Sequence, residues 1–482
     1  MAGFLSKLFR TKSVDRIMKE SADQEHTLKR ALNAFDITVI GIGAIVGAGI
    51  FVLTGVAAAK YAGPAITLSF VFTAIACAFT ALCYAEFASL IPIAGSAYTY
   101  SYATMGEFIA WIIGWDLILE YAVGACAVSI GWSSYFVDLI HKLFNIKIPA
   151  CLTAAPGAIQ GVTTYINLPA VIIILAVTTL LVFGIKESAK VNNIVVMIKI
   201  LIILFFLFVG VIIIKVNPTN WKPFMPFGWN GVMAGAAVVF FAYIGFDSIT
   251  TTAEEARNPQ KDLPIGILGS LIVCTLLYVA VAAVLTGIAH YTKLNDAAPI
   301  AKALIEAGRA KFSGIISAGA VITLVSTILV MLMAQPRIFF VMSRDGLFPK
   351  GLSKVHKKFG TPYITTILTG IIVAFAAGFT NIETVAQLCN IGTLFAFVLV
   401  CAGIIVLRYT KPDLKRPFKC PAVPLIPILG ALSCAYLMTK LPMLTWVRFL
   451  GWMGLGVIIY FLYGIRRSGL NEKENSTDTD SG

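Results

Sequence analysis

Long apolar runs separated by short polar connections dominate the chain. Twelve runs approach or reach the roughly 20 residues a helix needs to cross a hydrocarbon core. They span 35–58, 65–91, 104–137, 166–185, 190–214, 230–253, 264–289, 313–341, 363–380, 386–407, 423–439 and 443–464. No connection between them is long enough for a second folded domain. The expected fold is therefore an all-α polytopic membrane protein with 12 transmembrane helices.

Two runs are interrupted. Segment 1, ITVIGIGAIVGAGIFVLTG, carries Gly41, Gly43, Gly47 and Gly49. One or two such glycines read as close helix packing; four, with Gly47-Ala48-Gly49 at mid-span, predict a break. Segment 6 turns polar after Gly245, with Asp247, Ser248, Thr250, Thr251 and Thr252 in succession. Either the membrane helix ends near Ile244 or it is broken, with its second half lining a wet cavity. Interruptions five segments apart fit two inverted five-helix repeats, with the binding site at the breaks. The expected division is a tail (1–33), a first repeat (34–214), a second repeat (215–410), two further helices (411–465) and a second tail (466–482).

Composition sharpens this picture. The 482 residues are 58% hydrophobic and 13% charged, with mean hydropathy +0.87. Soluble domains are about 25% charged, so a soluble enzyme, a nucleic-acid-binding domain and a disordered chain are excluded. The net charge of +13 reads as an orientation signal. Of 37 Lys and Arg, about 25 fall on the side of the N-terminus and about 11 on the other, which predicts both termini in the cytoplasm. The N-terminal MAGFLSKLFRTKSVDRIMKE is basic and amphipathic and suits a membrane surface; it lacks a signal-peptide core. The C-terminal NEKENSTDTDSG reads as a disordered tail. Nine cysteines and four histidines show no metal-type spacing, so no metal and no cofactor are expected. No HExxH, GxSxG or phosphate-binding glycine loop points to an enzyme.

Charges inside the spans carry the chemistry. Lys199, in VVMIKILIILFF, lies about ten residues into segment 5, roughly 15 Å deep. Its stem reaches roughly 6 Å, too short to snorkel to water. It must face a cavity, meet an anion or lose its proton, which suits proton coupling; a static ion pair is the plainer alternative. Glu120 is the other deep charge, with Asp116 one turn before it. Glu120 is a candidate partner for Lys199, for substrate or for a proton, or is simply a hydrogen-bonded buried acid. Ser326 and Thr327 lie in segment 8, and Met331 one turn beyond them. Hydroxyls there often bond their own backbone, and a lone Met is often plain packing.

Four stretches together resemble the amino acid–polyamine–organocation superfamily, and most closely bacterial members of the cationic amino acid transporter family. They are GIGAIVGAGIFVLTG, PIAGSAYTYSYATMGE, FFAYIGFDSITTTAEEARNPQKDLPIGI and SRDGLFP. The resemblance covers about residues 30–465 and implies the leucine-transporter fold and alternating access around a midplane site. It implies that amides of Gly47, Ala48 and Gly49 meet the substrate carboxylate, at a helix N-terminus suited to anions. Carbonyls of Ile45, Phe241, Ala242 and Ile244 would meet its ammonium, and the Phe241 side chain would cover it. Lys199 would occupy the place of the sodium ion of sodium-coupled relatives, ringed by carbonyls of Gly43 and Val46 and hydroxyls of Ser326 and Thr327. The expected function is proton-coupled amino acid uptake at the plasma membrane, with Met331 walling the side-chain pocket. Expected substrates are small neutral amino acids, or a broader set that includes cationic ones. An exchanger with Lys199 as a fixed cation is the alternative; a sensor is disfavoured by short tails without an output domain.

Overall fold

In the computed structural model, residues 8–12, 32–92, 96–158, 161–184, 189–356, 359 and 361–470 are described. Most of the amphipathic N-terminal stretch and the tail beyond 470 lie outside them. Among the described residues the chain is helical, with two isolated β-bridges and no strand. The apolar segments form α1 (Ala34–Ile45), α2 (Ile66–Leu90), α3 (Glu107–Phe144), α4 (Leu168–Phe183), α5 (Ala189–Phe208) and α6 (Gly228–Val239). They continue as α7 (Pro259–Ile288), α8 (Ala310–Arg344), α9 (Tyr363–Phe379), α10 (Ile382–Thr410), α11 (Leu425–Thr439) and α12 (Met443–Ile459). Among the described residues, eight stretches are long and apolar enough to cross a membrane; α1, α4, α9 and α11 are shorter apolar helices.

Elements five positions apart pack on each other: α2 on α7, α3 on α8 and α4 on α9. The outward faces of α4, α5, α9, α11 and α12 are apolar and exposed, for example Ile172, Leu204, Phe375, Leu432 and Leu450. Faces that would be errors in water are what lipid requires.

Both expected interruptions are present. Asn33 caps α1 in a reciprocal capping box with Asp36. The helix stops at Ile45, Val46 turns extended, and helical structure resumes at Gly49. After α6 the chain tightens to a 3₁₀ turn, Phe240–Tyr243. Ile244 is extended, Gly245 has φ +117°, and a second 3₁₀ stretch runs Asp247–Glu255. The polar run therefore does not leave the bundle: Asp247 and Thr250 are buried.

The two breaks touch. A Cβ on Gly49 would lie 2.3 Å from Ala242 Cα, and one on Gly245 would lie 2.9 Å from the Ala44 carbonyl oxygen. Glycine is required at both places by this approach, and at Gly245 by its backbone as well.

The chain ends meet at one end of the bundle. Lys12 Nζ lies 3.0 Å from Asp345 Oδ1, and the Glu107 amide donates to the Arg10 carbonyl at 3.0 Å. The fully buried Glu107 carboxylate accepts from Tyr102 (3.1 Å), Tyr460 (3.0 Å) and Ser468. Nearby, Glu86 closes α2 as a buried carboxylate shared by Arg408 (2.7 Å), Arg416 (3.2 Å) and the Cys420 amide (2.7 Å).

Two stability predictions follow. Glu86→Ala leaves two guanidinium groups without their counter-ion and should cost about 3–5 kcal/mol, read as a lowered thermal midpoint in detergent. Gly49→Ala should cost about 1–3 kcal/mol through overpacking. Gly451→Ala, where a Cβ meets nothing within 4 Å, should leave the midpoint in place.

Candidate functional site

A break in a membrane helix frees backbone groups that lipid cannot satisfy. At the end of α1, the Val46 amide closes the inner half on the Ile42 carbonyl at 2.9 Å. The carbonyls beyond are passed over, and side chains from three helices take them. Lys199 of α5 donates to the Gly43 oxygen at 2.6 Å and the Val46 oxygen at 3.0 Å. Its Nζ also lies 2.9 Å from the Thr327 hydroxyl of α8. Tyr278 of α7 donates to the Ile45 oxygen at 3.0 Å. Lys199 is 1% exposed, so these oxygens replace its water shell.

Several expected residues thus converge: Gly43, Val46, Lys199 and Thr327 form one cluster. Ser326 does not join it. One residue along a helix turns the side chain by about 100°, and Ser326 Oγ bonds its own backbone at Thr323 (2.8 Å). The Ile45 carbonyl, expected for the ammonium, already receives Tyr278, which leaves it one further lone pair.

On the other side of the break, Gly47, Ala48 and Gly49 begin the outer half, where first-turn amides lack intrahelical acceptors. All three are buried. A Cβ on Gly47 would lie 3.1 Å from Thr327 Cγ2, which sets these amides beside the lysine cluster. Facing them are Phe241, Ala242 and Ile244 of the second break, all buried. Tyr243 anchors that turn to the Phe70 oxygen at 3.0 Å. Tyr135 anchors the outer half of segment 1 through the Phe51 oxygen at 2.6 Å.

A possible side-chain wall lies at Gly124 of α3. A Cβ there would meet Met331 Sδ at 3.5 Å and Cys389 Sγ at 3.7 Å. Glu120, one turn away, receives the Cys389 thiol on its backbone oxygen at 3.4 Å. Its acidic neighbours are Asp247 and Asp116. Among the described residues, both Asp116 oxygens, Glu120 Oε1 and Asp247 Oδ1 have no hydrogen-bond partner. Buried oxygens of this kind call for a proton, a water or a cation.

Above the site, at the end remote from the chain termini, is a cavity of about 1000 Å³. Val52, Ile130, Lys60, Asp138, Ile382 and Glu383 are among its lining residues. A Cβ on Gly131 would meet Val52 at 3.0 Å, the Ala48 side chain at 3.3 Å and Ile382 at 3.7 Å, so Ala48 packs beside residues that line the cavity. Across its mouth, Glu383 binds Lys60 at 2.7 Å and Tyr61 at 2.6 Å.

Sequence reasoning passed over Tyr278, Tyr135 and Asn390. Each is a single polar side chain in an apolar stretch, and only carbonyls left over on another helix give it a role.

The chain is similar to known proteins over most of its length. The family description "Amino acid permease" matches residues 32–462. The branched-chain amino acid permease of Bacillus subtilis (strain 168) is 52% identical over 466 residues, covering 96% of this chain and 99% of that one. The methylthioribose transporter of the same organism is 49% identical over 468 residues, covering 97% and 100%. Human cationic amino acid transporter 4 is 31% identical over 578 aligned positions, covering 94% and 90%. A discontinuous α1 and α6 around paired backbone donors and acceptors, and a family match over nearly the whole chain, lead to one conclusion: the chain belongs to the amino acid permease family of the amino acid–polyamine–organocation superfamily.

Proposed function

We propose that the protein takes up neutral amino acids across the plasma membrane, coupled to proton influx, by alternating access. Both termini are read as cytoplasmic, from the bias in Lys and Arg. The substrate carboxylate meets the amides of Gly47, Ala48 and Gly49. Its ammonium meets carbonyls of Phe241, Ala242 and Ile244 and the remaining lone pair of Ile45. Backbone groups read only this zwitterion, so the side-chain wall sets selectivity. Met331 and Cys389 place sulfur rather than carboxylate against Gly124. That favours a neutral, apolar side chain of alanine to leucine size over a cationic one. The two inverted repeats are supported by the pairing of α2 with α7, α3 with α8 and α4 with α9, as a two-fold axis in the membrane plane requires.

The observation that carries the reading is Lys199 Nζ on the Gly43 and Val46 oxygens. Charged, the ammonium makes hydrogen bonds roughly twice as strong as neutral ones. It then ties α1 to α5 and α8 and holds the break in shape. On losing its proton the amine loosens that tie, so proton release and movement of α1 are one event. Glu120 is a candidate second carrier of the proton.

Uptake into proteoliposomes with an imposed pH gradient tests this. Wild type should accumulate leucine or alanine when the outside is acidic; Lys199→Ala and Lys199→Met should lose the gradient response. Accumulation by wild type that ignores the gradient, with exchange against internal amino acid, would identify an exchanger instead. The same assay with unlabelled competitors, methylthioribose and arginine among them, reads the substrate class. Met331→Ser should widen the accepted range toward larger or cationic side chains; an unchanged range would remove Met331 from the pocket.

A further inference from the structure

The junction between α6 and its 3₁₀ turn poses a counting problem. At the end of α6 the Phe240 amide is shared between the Ala236 oxygen, four residues back, and the Val238 oxygen. From Phe240 to Tyr243 the ladder runs with i−3 spacing. Where the spacing shortens by one, the acceptors outnumber the donors by one. Ala237 and Val238 have between them the Phe241 amide and a share of the Phe240 amide, and both residues are buried, so the pair is short of a full donor.

Asn390 of α10 fills the deficit. Its Nδ2 donates to the Ala237 oxygen at 2.7 Å and to the Val238 oxygen at 3.1 Å. Two carbonyl oxygens facing one amide atom fix that atom as the nitrogen. The side chain is 0% exposed, and its Oδ1 has no partner among the described residues. An amide placed only for packing would be satisfied at both ends. Here one end is spent entirely on the carbonyls that precede the break.

These carbonyls decide what the next ones can do. If α6 continued with i−4 spacing, amides further along would be drawn back onto the oxygens of Phe241 and Ala242. The 3₁₀ turn, closed by the Ile244 amide on the Phe241 oxygen at 3.4 Å, uses one lone pair of that oxygen, leaves the other open, and brings Ala242 against Gly49 of the first break. We propose that Asn390 is a positioning residue for the substrate ammonium: by holding the Ala237 and Val238 oxygens, it keeps the end of α6 in the turn that presents the ammonium-binding carbonyls. The inference rests on the site described under the proposed function, and it adds α10 as the element that sets affinity for the amino group.

A pair of ligands separates this role from a general one. Binding of leucine and of 4-methylpentanoate, which is leucine without its amino group, is measured on the purified full-length protein by tryptophan fluorescence. Wild type should bind leucine more tightly. Asn390→Ala should weaken leucine at least tenfold and leave 4-methylpentanoate unchanged, so the preference for the amine collapses. Asn390→Asp keeps the shape, and a carboxyl buried against two carbonyl oxygens keeps its proton at neutral pH. Its O–H can serve one of the two oxygens, so it should recover part of the leucine affinity that the alanine variant loses. A preference that survives in both variants overturns the proposal, as does an equal loss for both ligands, which would mark a merely structural residue. Wild type that binds the two ligands equally would remove the ammonium site itself, and the proposal with it.

Discussion

A cation in the middle of a membrane and a broken helix in the middle of a membrane are each costly alone. Together they cancel. The ammonium of Lys199 needs oxygen ligands, and the end of α1 has carbonyls that need donors; at 2.6 and 3.0 Å each answers the other. The rest of the site depends on this exchange. Gly43 must be small because a Cβ there would meet Val196 Cγ2 of α5 at 2.5 Å, and that close approach brings the lysine within reach. Gly49 must be small so that the second break can press against the first. The site is made of backbone because two interrupted helices put their spare donors and acceptors face to face.

The same logic explains why the fold spends so many aromatic hydroxyls on carbonyls. Tyr278, Tyr135 and Tyr243 each span from one helix to a backbone oxygen on another. In lipid an unsatisfied carbonyl costs several kcal/mol, while a tyrosine offers a rigid arm with one donor at its tip. These contacts do not compete with substrate for the amides of Gly47–Gly49. They take the oxygens, so the donors remain for an anion.

How much of this could be read along the chain follows from what each feature costs. Lys199 was legible because a charge at that depth has few explanations. The glycines of segment 1 were legible because four in nine positions exceed what packing needs. The break after Ile244 was legible only as an alternative, since a polar run after a glycine also marks the ordinary end of a helix. Ser326 and Thr327 are adjacent and chemically alike; only the helical rotation between them decides which meets the lysine. Asn390 could not be assigned from sequence at all. Its task exists only because α6 changes its hydrogen-bond spacing beside it, and no local pattern in α10 reflects that. Glu86 lies in α2, and its two arginines come from positions more than 300 residues later, so no local pattern pairs them.

The two ends of the bundle are built differently, and that difference matters for a site between them. At the end remote from the chain termini is a cavity of about 1000 Å³, with Val52 and Ile130 among its lining residues. Its crossing contact, Lys60 with Glu383, is half-exposed on the lysine side at 42%, and exposed pairs contribute little. At the other end the contacts are buried and redundant. Lys12 on Asp345, with side chains 7% and 9% exposed, is joined by Tyr98 on the same carboxylate and by the hydroxyls gathered on Glu107. Leu32 and Ala256 further tie the chain before α1 to the chain after the second break. Buried, shared contacts break together or not at all, because removing one partner leaves the others with an uncompensated charge. An end held this way opens as a unit, when α1 itself moves. Lys199 is the charged tie on the end of α1, beside the neutral one from Tyr278. In the proposed cycle, the proton on that one lysine therefore acts at a distance on the whole termini-side closure, through the helix it holds.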